Sequence, residues 1–335
     1  MRIVFCGTPQ FAVPSLAALL DAGFEIPLVV SQPDRPSGRG MQVTPTPVKQ
    51  LAAERHVDVI QPEKIKNNLE FRARLEQIAP EAIVVVAYGR IIPQWMIELP
   101  PLGNINGHAS LLPKYRGAAP IQWAIASGET VTGVTTMRID AGLDTGGMLM
   151  KRETAIRPED TAVTLSPRLA ALTAELLVET LPALKEGRIA PQKQNDADAT
   201  MAPILKKEDG LIDFRRTATE IWNRLRGFQP WPGAYTSFRG KNLGLVNAQP
   251  HSTKGRLNEA PSIAVNDEGT PATAALNPKK VEWGTVIVDG GRLLVGCGGE
   301  SLLEVLELQP EGKKKMAVRD FLNGYRPHDG ERLGE

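Results

Sequence analysis

The 335-residue chain has two cysteines, Cys6 and Cys297, far apart and in no C-x-x-C or Cys/His spacing. That pattern excludes a disulfide framework and a structural zinc site, and it predicts a reducing, cytoplasmic setting. No apolar run reaches the roughly 18 residues of a membrane span. The opening MRIVFCGTP enters a strand directly, with no signal-peptide h-region and cleavage site. Charge is nearly balanced at +1, so any nucleic-acid-binding surface has to be local. The first turn carries Gly7 but no G-x-G-x-x-G, which leaves a dinucleotide cofactor unsupported. No G-x-S-x-G elbow accompanies any serine. His56, His251 and His328 stand without acidic or cysteine partners at ligand spacing, so no metal site is expected. No internal repeat is present.

What is there reads as two domains, since the length exceeds one ordinary core. Arg2–Cys6 is an apolar strand, residues 11–24 a helix closed by Gly23, and Ile26–Val30 a second strand. Strand, helix, strand opens a βαβ unit and predicts a mainly parallel, doubly wound α/β sheet. Glu81–Ala87 (EAIVVVA) is a buried parallel strand ending at Tyr88-Gly89-Arg90. In such sheets ligands bind beyond the carboxyl ends of the strands, near a topological switch.

Residues 31–49 (SQPDRPSGRGMQVTPTPVK) are dense in proline and glycine, which predicts a long loop without a regular element. It carries Arg35, Arg39 and Lys49 against Asp34 alone. A phosphate-contacting arm and a solvated loop are equally compatible with that charge. Leu51–Arg55 and Asn67–Ile78 read as helices, Ala118–Ser127 as a short one ended by Gly128, and Thr132–Ile139 and Gly147–Ile156 as strands. Glu159–Glu186 is a long helical pattern that Pro167 and Pro182 are expected to kink or divide. Residues 190–205 are polar and aperiodic, an expected linker after a first domain of 1–189. From 206 to 335 a helix at Thr217–Arg226, short strands with turn signals, and a terminal helix at Val318–Tyr325 predict a small barrel. Residues 251–280 read as a surface insertion or a mobile excursion. Lys206-Lys207 and Lys313-Lys314-Lys315 are basic clusters in this second domain.

The chemistry points to Gly103–Gly147. In an extended segment Asn106 and His108 share a face, with Gly107 between them adding no bulk. Asp144 follows on a glycine-bounded turn, LDTG. An amide, an imidazole and a carboxylate together can hold an oxyanion and move a proton in acyl transfer. N-x-H with a distant Asp also arises by chance in many chains.

Longer motifs carry a resemblance. FCGTPQFAVPSL, QPDRPSGRG, VVVAYGRIIP, NGHASLLPKYRGAAPIQWAI, GVTTMRIDAGLDTGGML, APILKKEDGLIDF, GFQPWPGAY and LQPEGKKKM resemble the methionyl-tRNA formyltransferase family along nearly the whole chain. The N-x-H…LDTG core alone is shared with folate-dependent formyltransferases more widely. The resemblance implies a Rossmann-like catalytic domain and an OB-like β-barrel that helps grip tRNA; a monomer is expected. It implies formyl transfer from 10-formyltetrahydrofolate to the amino group of initiator methionyl-tRNA. Asn106, His108 and Asp144 match the family's catalytic trio. Ser110, Leu111, Leu112 and Pro113 match its folate-contacting loop, with Tyr88, Gly89 and Arg90 lining the same pocket. Residues 33–49 match its acceptor-stem loop, which places Arg35, Arg39 and Lys49 on tRNA, with Lys206, Lys207, Lys313 and Lys314 supporting. Three departures stand out. Met41 and Gln42 replace basic residues, Gly107 replaces a branched aliphatic and is expected to loosen the strand, and residues 251–280 are longer than usual. Two rivals remain: a formyltransferase acting on a nucleotide-linked amine, and a non-catalytic RNA-binding protein on the same scaffold.

Overall fold

Ile3, Val4, Phe5 and Cys6 are all fully buried, which a strand permits only when its sheet is covered on both faces. A computed structural model of the chain describes residues 1–37, 42–251 and 281–335. Arg39, Met41 and residues 252–280 lie outside the described residues. The chain forms two units, Met1–Ala124 with Glu129–Ile204, and Ile125–Gly128 with Leu205–Glu335.

The first unit runs β1 (Arg2–Gly7), α1 (Val13–Asp21), β2 (Glu25–Val30), β3 (Arg35–Ser37), β4 (Gln42–Thr44), α2 (Pro47–Glu54), β5 (Val59–Ile60) and α3 (Leu69–Ile78). It continues through β6 (Ala82–Val86), α4 (Gln94–Glu98), β7 (Asn104–His108), α5 (Pro120–Ala126), β8 (Val131–Arg138), β9 (Met148–Ala155) and α6 (Ala162–Lys185). Its sheet has the order β5-β2-β1-β6-β7-β8-β9. The pairs from β5 to β7 are parallel, and β7–β8 and β8–β9 are antiparallel. Alternation divides the core. Ile3, Phe5, Val84, Val86 and Ile105 pack with Leu16 and Leu19 of α1 and Leu177 and Leu181 of α6. Val4, Cys6, Ile83 and Val85 pack with Phe71 and Leu75 of α3 and Met96 of α4. The strand order reverses between β1 and β6, so the crevice expected of this topology opens where those two strands end.

Two expectations need correction. Residues 31–49 do contain regular structure: β3 and β4 form a hairpin pairing Arg35 with Thr44 and Pro36 with Val43, and α2 already begins at Pro47. An isolated pair leaves each strand an outward edge, where a missing proline N–H costs nothing. Pro167 and Pro182 do not divide α6, which is one 24-residue helix. Both lie within two turns of an end, and burial of Leu165, Leu169, Leu176, Leu177 and Leu181 outweighs two lost backbone bonds. In the polar stretch after residue 190, Gln192 pairs with Met148 and Met201 with Arg116.

The second unit carries α7 (Ala218–Gly227), β10 (Ala234–Phe238), β11 (Lys241–Pro250), β12 (Val286–Asp289), β13 (Arg292–Cys297), β14 (Ser301–Pro310), β15 (Met316–Ala317) and α8 (Val318–Tyr325). Thr217 and Glu220 form a capping box at the start of α7. The antiparallel sheet has the order β10-β11-β14-β13-β12, with β15 on β14. Ile221, Leu225, Phe238 and Phe321 fill its core. Residues 331–334 touch both edge strands' borders. Gly334 N donates to Ser237 O at 2.9 Å, Leu333 N to Gly284 O at 2.8 Å, and Val286 N to Glu331 O at 2.7 Å. Among the described residues no helix is long and apolar enough to cross a membrane.

Candidate active site

β7 sits between β6 and β8, with Asn106 opposite Val85 and Met137. The period of two sends Ile105 and Gly107 toward α6 and leaves Asn104, Asn106 and His108 on the other face. Asn104 is structural, since its side-chain Nδ2 donates to Met96 O at 2.8 Å and Ile97 O at 3.2 Å. Asn106 is half-buried, and His108 is 6% exposed. Gly107 allows a close approach of helix to strand. A Cβ built on it would lie 2.4 Å from Thr173 Cγ2 of α6, so a helix side chain occupies the space a larger residue would fill.

The His108 ring is oriented by backbone. Its Nε2 lies 2.9 Å from Tyr115 O. A carbonyl only accepts, so Nε2 carries the proton. Nδ1 is left facing Asp144 Oδ2 at 3.7 Å, too far for a direct hydrogen bond. The carboxylate is 17% exposed and itself anchored, with Gly117 N donating to Oδ2 at 2.9 Å. Asp144 stands at φ 52°, a left-handed conformation that aspartate tolerates better than most residues. Its turn is held by Gln194, whose Nε2 donates to Asp144 O at 2.7 Å and Gly146 O at 2.8 Å. Gly146 is required, because a Cβ there would sit 1.7 Å from Arg138 O.

Residues 110–113 form the wall beside this pair. Ser110 is buried and its Oγ donates to Lys114 O at 2.6 Å, which leaves it no nucleophilic role. Thr135 Oγ1 donates to Ser110 O at 2.7 Å and accepts from Leu112 N at 3.1 Å. Lys151 Nζ donates to Leu112 O. Leu111 and Pro113 are half-buried. At the end of β6 the Tyr88 ring enters the core beside Cys6 and Met96, and burial pushes its hydroxyl well above the ordinary phenol range. Its backbone carbonyl is engaged as well. Gln32 Nε2 donates to Tyr88 O at 2.8 Å and Gly89 O at 3.2 Å, and Thr8 Oγ1 to Tyr88 O at 3.2 Å. The ends of β1, β2 and β6 are thereby tied together. Arg90 is half-buried and its Nε has no partner among the described residues. Ile91 beside it is 92% exposed.

The basic residues separate into two kinds. Lys49 is engaged, with Nζ 2.5 Å from Asp34 Oδ2 and 2.7 Å from Gln61 Oε1. Burial would raise the Asp34 carboxyl, but the bonds from Gln61 and Lys49 outweigh it and hold the group below its ordinary value. Arg35 on β3 and Lys206, Lys207, Lys313 and Lys314 in the second unit are exposed. Among the described residues no group of His, Cys, Asp and Glu is arranged to hold a metal ion.

Tyr115, Gly117 and Gln194 were missed in the sequence. The first two act through backbone atoms, which no side-chain pattern reveals. Gln194 lies in the stretch read as linker. The one available signal is the density of KYRG directly after the folate-loop motif.

Residues 1–181 match the family described as formyl transferase, and residues 204–326 that described as formyl transferase, C-terminal domain. The methionyl-tRNA formyltransferase of Koribacter versatilis (strain Ellin345) is 60% identical over 334 residues, covering 100% of this chain and 99% of its own. That of Acidobacterium capsulatum is 58% identical over 334 residues, covering 100% of both. The solved structure of an N-formyltransferase from Helicobacter canadensis, in complex with folinic acid and dTDP-3-aminofucose, has a TM-score of 0.63 at 18% identity, covering 92% of this chain and 99% of that one.

Proposed function

This chain belongs to the formyl transferase family, and from that premise we propose its reaction: transfer of a formyl group from 10-formyltetrahydrofolate to the amino group of methionyl-tRNA. The observation that carries the mechanism is the 3.7 Å gap between His108 Nδ1 and Asp144 Oδ2, on the strand face that also presents Asn106. When bound, the folate co-substrate supplies an electrophilic formyl carbon. The residues present fit such a group: Arg90 brings a cation with a free Nε, Ile91 an exposed apolar surface, and residues 110–113 a wall pinned to β8 and β9.

Asn106 donates its side-chain N–H to the formyl oxygen as negative charge grows there. Nε2 of His108 is committed to Tyr115, so Nδ1 takes the proton that the attacking amine releases. Asp144, one short gap away, stabilises the imidazolium so formed. His108 then returns that proton to the departing folate nitrogen. One C–N bond forms, one breaks, and no covalent enzyme intermediate is needed, because the amine is itself the nucleophile.

The division of labour follows the notional boundaries: residues 1–189 catalyse, 190–205 connect, and 206–335 hold tRNA as an OB-like barrel. The bonds from residues 331–334 to both edges of the second sheet support barrel closure. Arg35 and Arg39 contact phosphates near the acceptor end, Lys49 braces the β3–β4 pair through Asp34, and Lys206, Lys207, Lys313 and Lys314 meet the tRNA backbone. The protein works as a cytoplasmic monomer and selects the initiator tRNA.

The test is formylation of initiator Met-tRNA against elongator Met-tRNA and a nucleotide-linked amino sugar, with 10-formyltetrahydrofolate as donor. His108→Ala is expected to lower kcat by about 10²–10⁴-fold, and Asn106→Ala by about 10²–10³-fold, with tRNA affinity unchanged. Near-normal kcat in His108→Ala removes the trio. Preference for the amino sugar points to the sugar-directed rival, and absence of any turnover to the RNA-binding one.

A further inference from the structure

We infer that Gln194 is a positioning residue that sets the gap between His108 and Asp144. The inference rests on the proton-transfer role given to that pair above. Gln194 is 3% exposed, and its amide is used on both sides. Nε2 donates to the carbonyls of Asp144 and Gly146, and Oε1 accepts from Arg116 Nε at 3.0 Å. Arg116 lies between two groups that matter. Tyr115 gives the carbonyl that holds His108 Nε2, and Gly117 the amide that holds Asp144 Oδ2. One buried side chain therefore bonds directly to the turn behind the carboxylate, and connects to the segment behind the imidazole through the Arg116 side chain.

The support of Gln194 is itself braced. Gln192 and Met148 exchange two backbone bonds of 2.8 Å. Thr200 Oγ1 accepts from Tyr115 N at 2.9 Å, and Ala202 N donates to Arg116 O at 2.7 Å. Residues 192–202 thus form a strap along the back of the site. A buried polar network with its members satisfied is rigid. A gap of 3.7 Å, too wide for a direct bond and narrow enough for charge stabilisation, is a distance that such rigidity has to maintain.

The experiment compares Gln194→Met, Gln194→Glu and Gln192→Ala in the full chain, using Met-tRNA and 10-formyltetrahydrofolate, with circular dichroism as a check on folding. Gln194→Met is expected to lose about 10–100-fold in kcat with KM for Met-tRNA unchanged, the size of effect a misplacement of under an ångström produces. Gln194→Glu keeps an acceptor for Arg116 but turns a carboxylate on two carbonyls, and is expected to fall as far. Gln192→Ala removes an exposed side chain and keeps its backbone pairing, so it stays at wild-type activity. ¹⁵N imidazole spectra of wild type and Gln194→Met give a second measurement that needs no turnover, and the His108 Nδ1 resonance is expected to move. A folded Gln194→Met with wild-type kcat, or an unmoved Nδ1 resonance, overturns the inference. An inactive wild type overturns the proposed reaction, and the spectra then decide on Gln194 alone.

Discussion

Gly107 illustrates how a single position is decided by its neighbours. A Cβ there meets Thr173 Cγ2 at 2.4 Å, with Leu177 Cδ1 and Val86 Cγ2 at 3.6 Å. Gly107→Val is expected to overpack this contact and cost about 1–3 kcal/mol in urea unfolding. Thr173→Ala should recover part of that cost in the double variant, a coupling that independent sites do not show. At this scale Asn106 and His108 were legible from alternation alone, because a period of two is a property of any strand. The hydrogen bonds around them were not. Tyr115 O and Gly117 N are backbone atoms, present at every position whatever the residue type. Gln194 was hidden by composition, since a buried strap and a free linker are both polar and aperiodic.

Among the elements, α6 shows how a helix end is secured. Asp160 precedes its cap residue Thr161 and is 3% exposed. Its carboxylate accepts from Arg168 Nη2 at 2.7 Å and Arg157 N at 2.7 Å. Burial would raise this carboxyl, but Arg168 and the backbone bond outweigh it, so the folded value lies below the unfolded one. Its stabilisation is therefore complete above about pH 4 and is lost as pH falls through the depressed folded value. Asp160→Asn is expected to cost about 2 kcal/mol at neutral pH. Urea midpoints measured from pH 7 to 2 should show the variant approaching wild type at the acid end. The strand runs were legible here because continuous burial leaves unbroken apolar stretches such as EAIVVVA. The β3–β4 hairpin and the undivided α6 were not, because both depend on where proline's missing N–H falls relative to partners far along the chain.

For the molecule as a whole, binding of a polyanion is governed by how many cations it neutralises. Lys206 and Lys207 are exposed, with no ion pair among the described residues. Replacing both with alanine is expected to flatten the slope of log Kd against log salt by about 1.5, at 0.7–0.9 per lost phosphate contact. Filter binding of Met-tRNA between low and physiological salt reads that slope directly, and an unchanged slope takes these lysines off the tRNA. The bonds from residues 331–334 to the borders of β10 and β12 bear on how the second unit is completed. Without residues 331–334, the borders of both outer strands of that sheet offer unpaired N–H and C=O groups. A chain cut before residue 331, with the first unit intact, would expose two adhesive edges to other copies. Self-association is thus a hazard that this short segment of backbone removes.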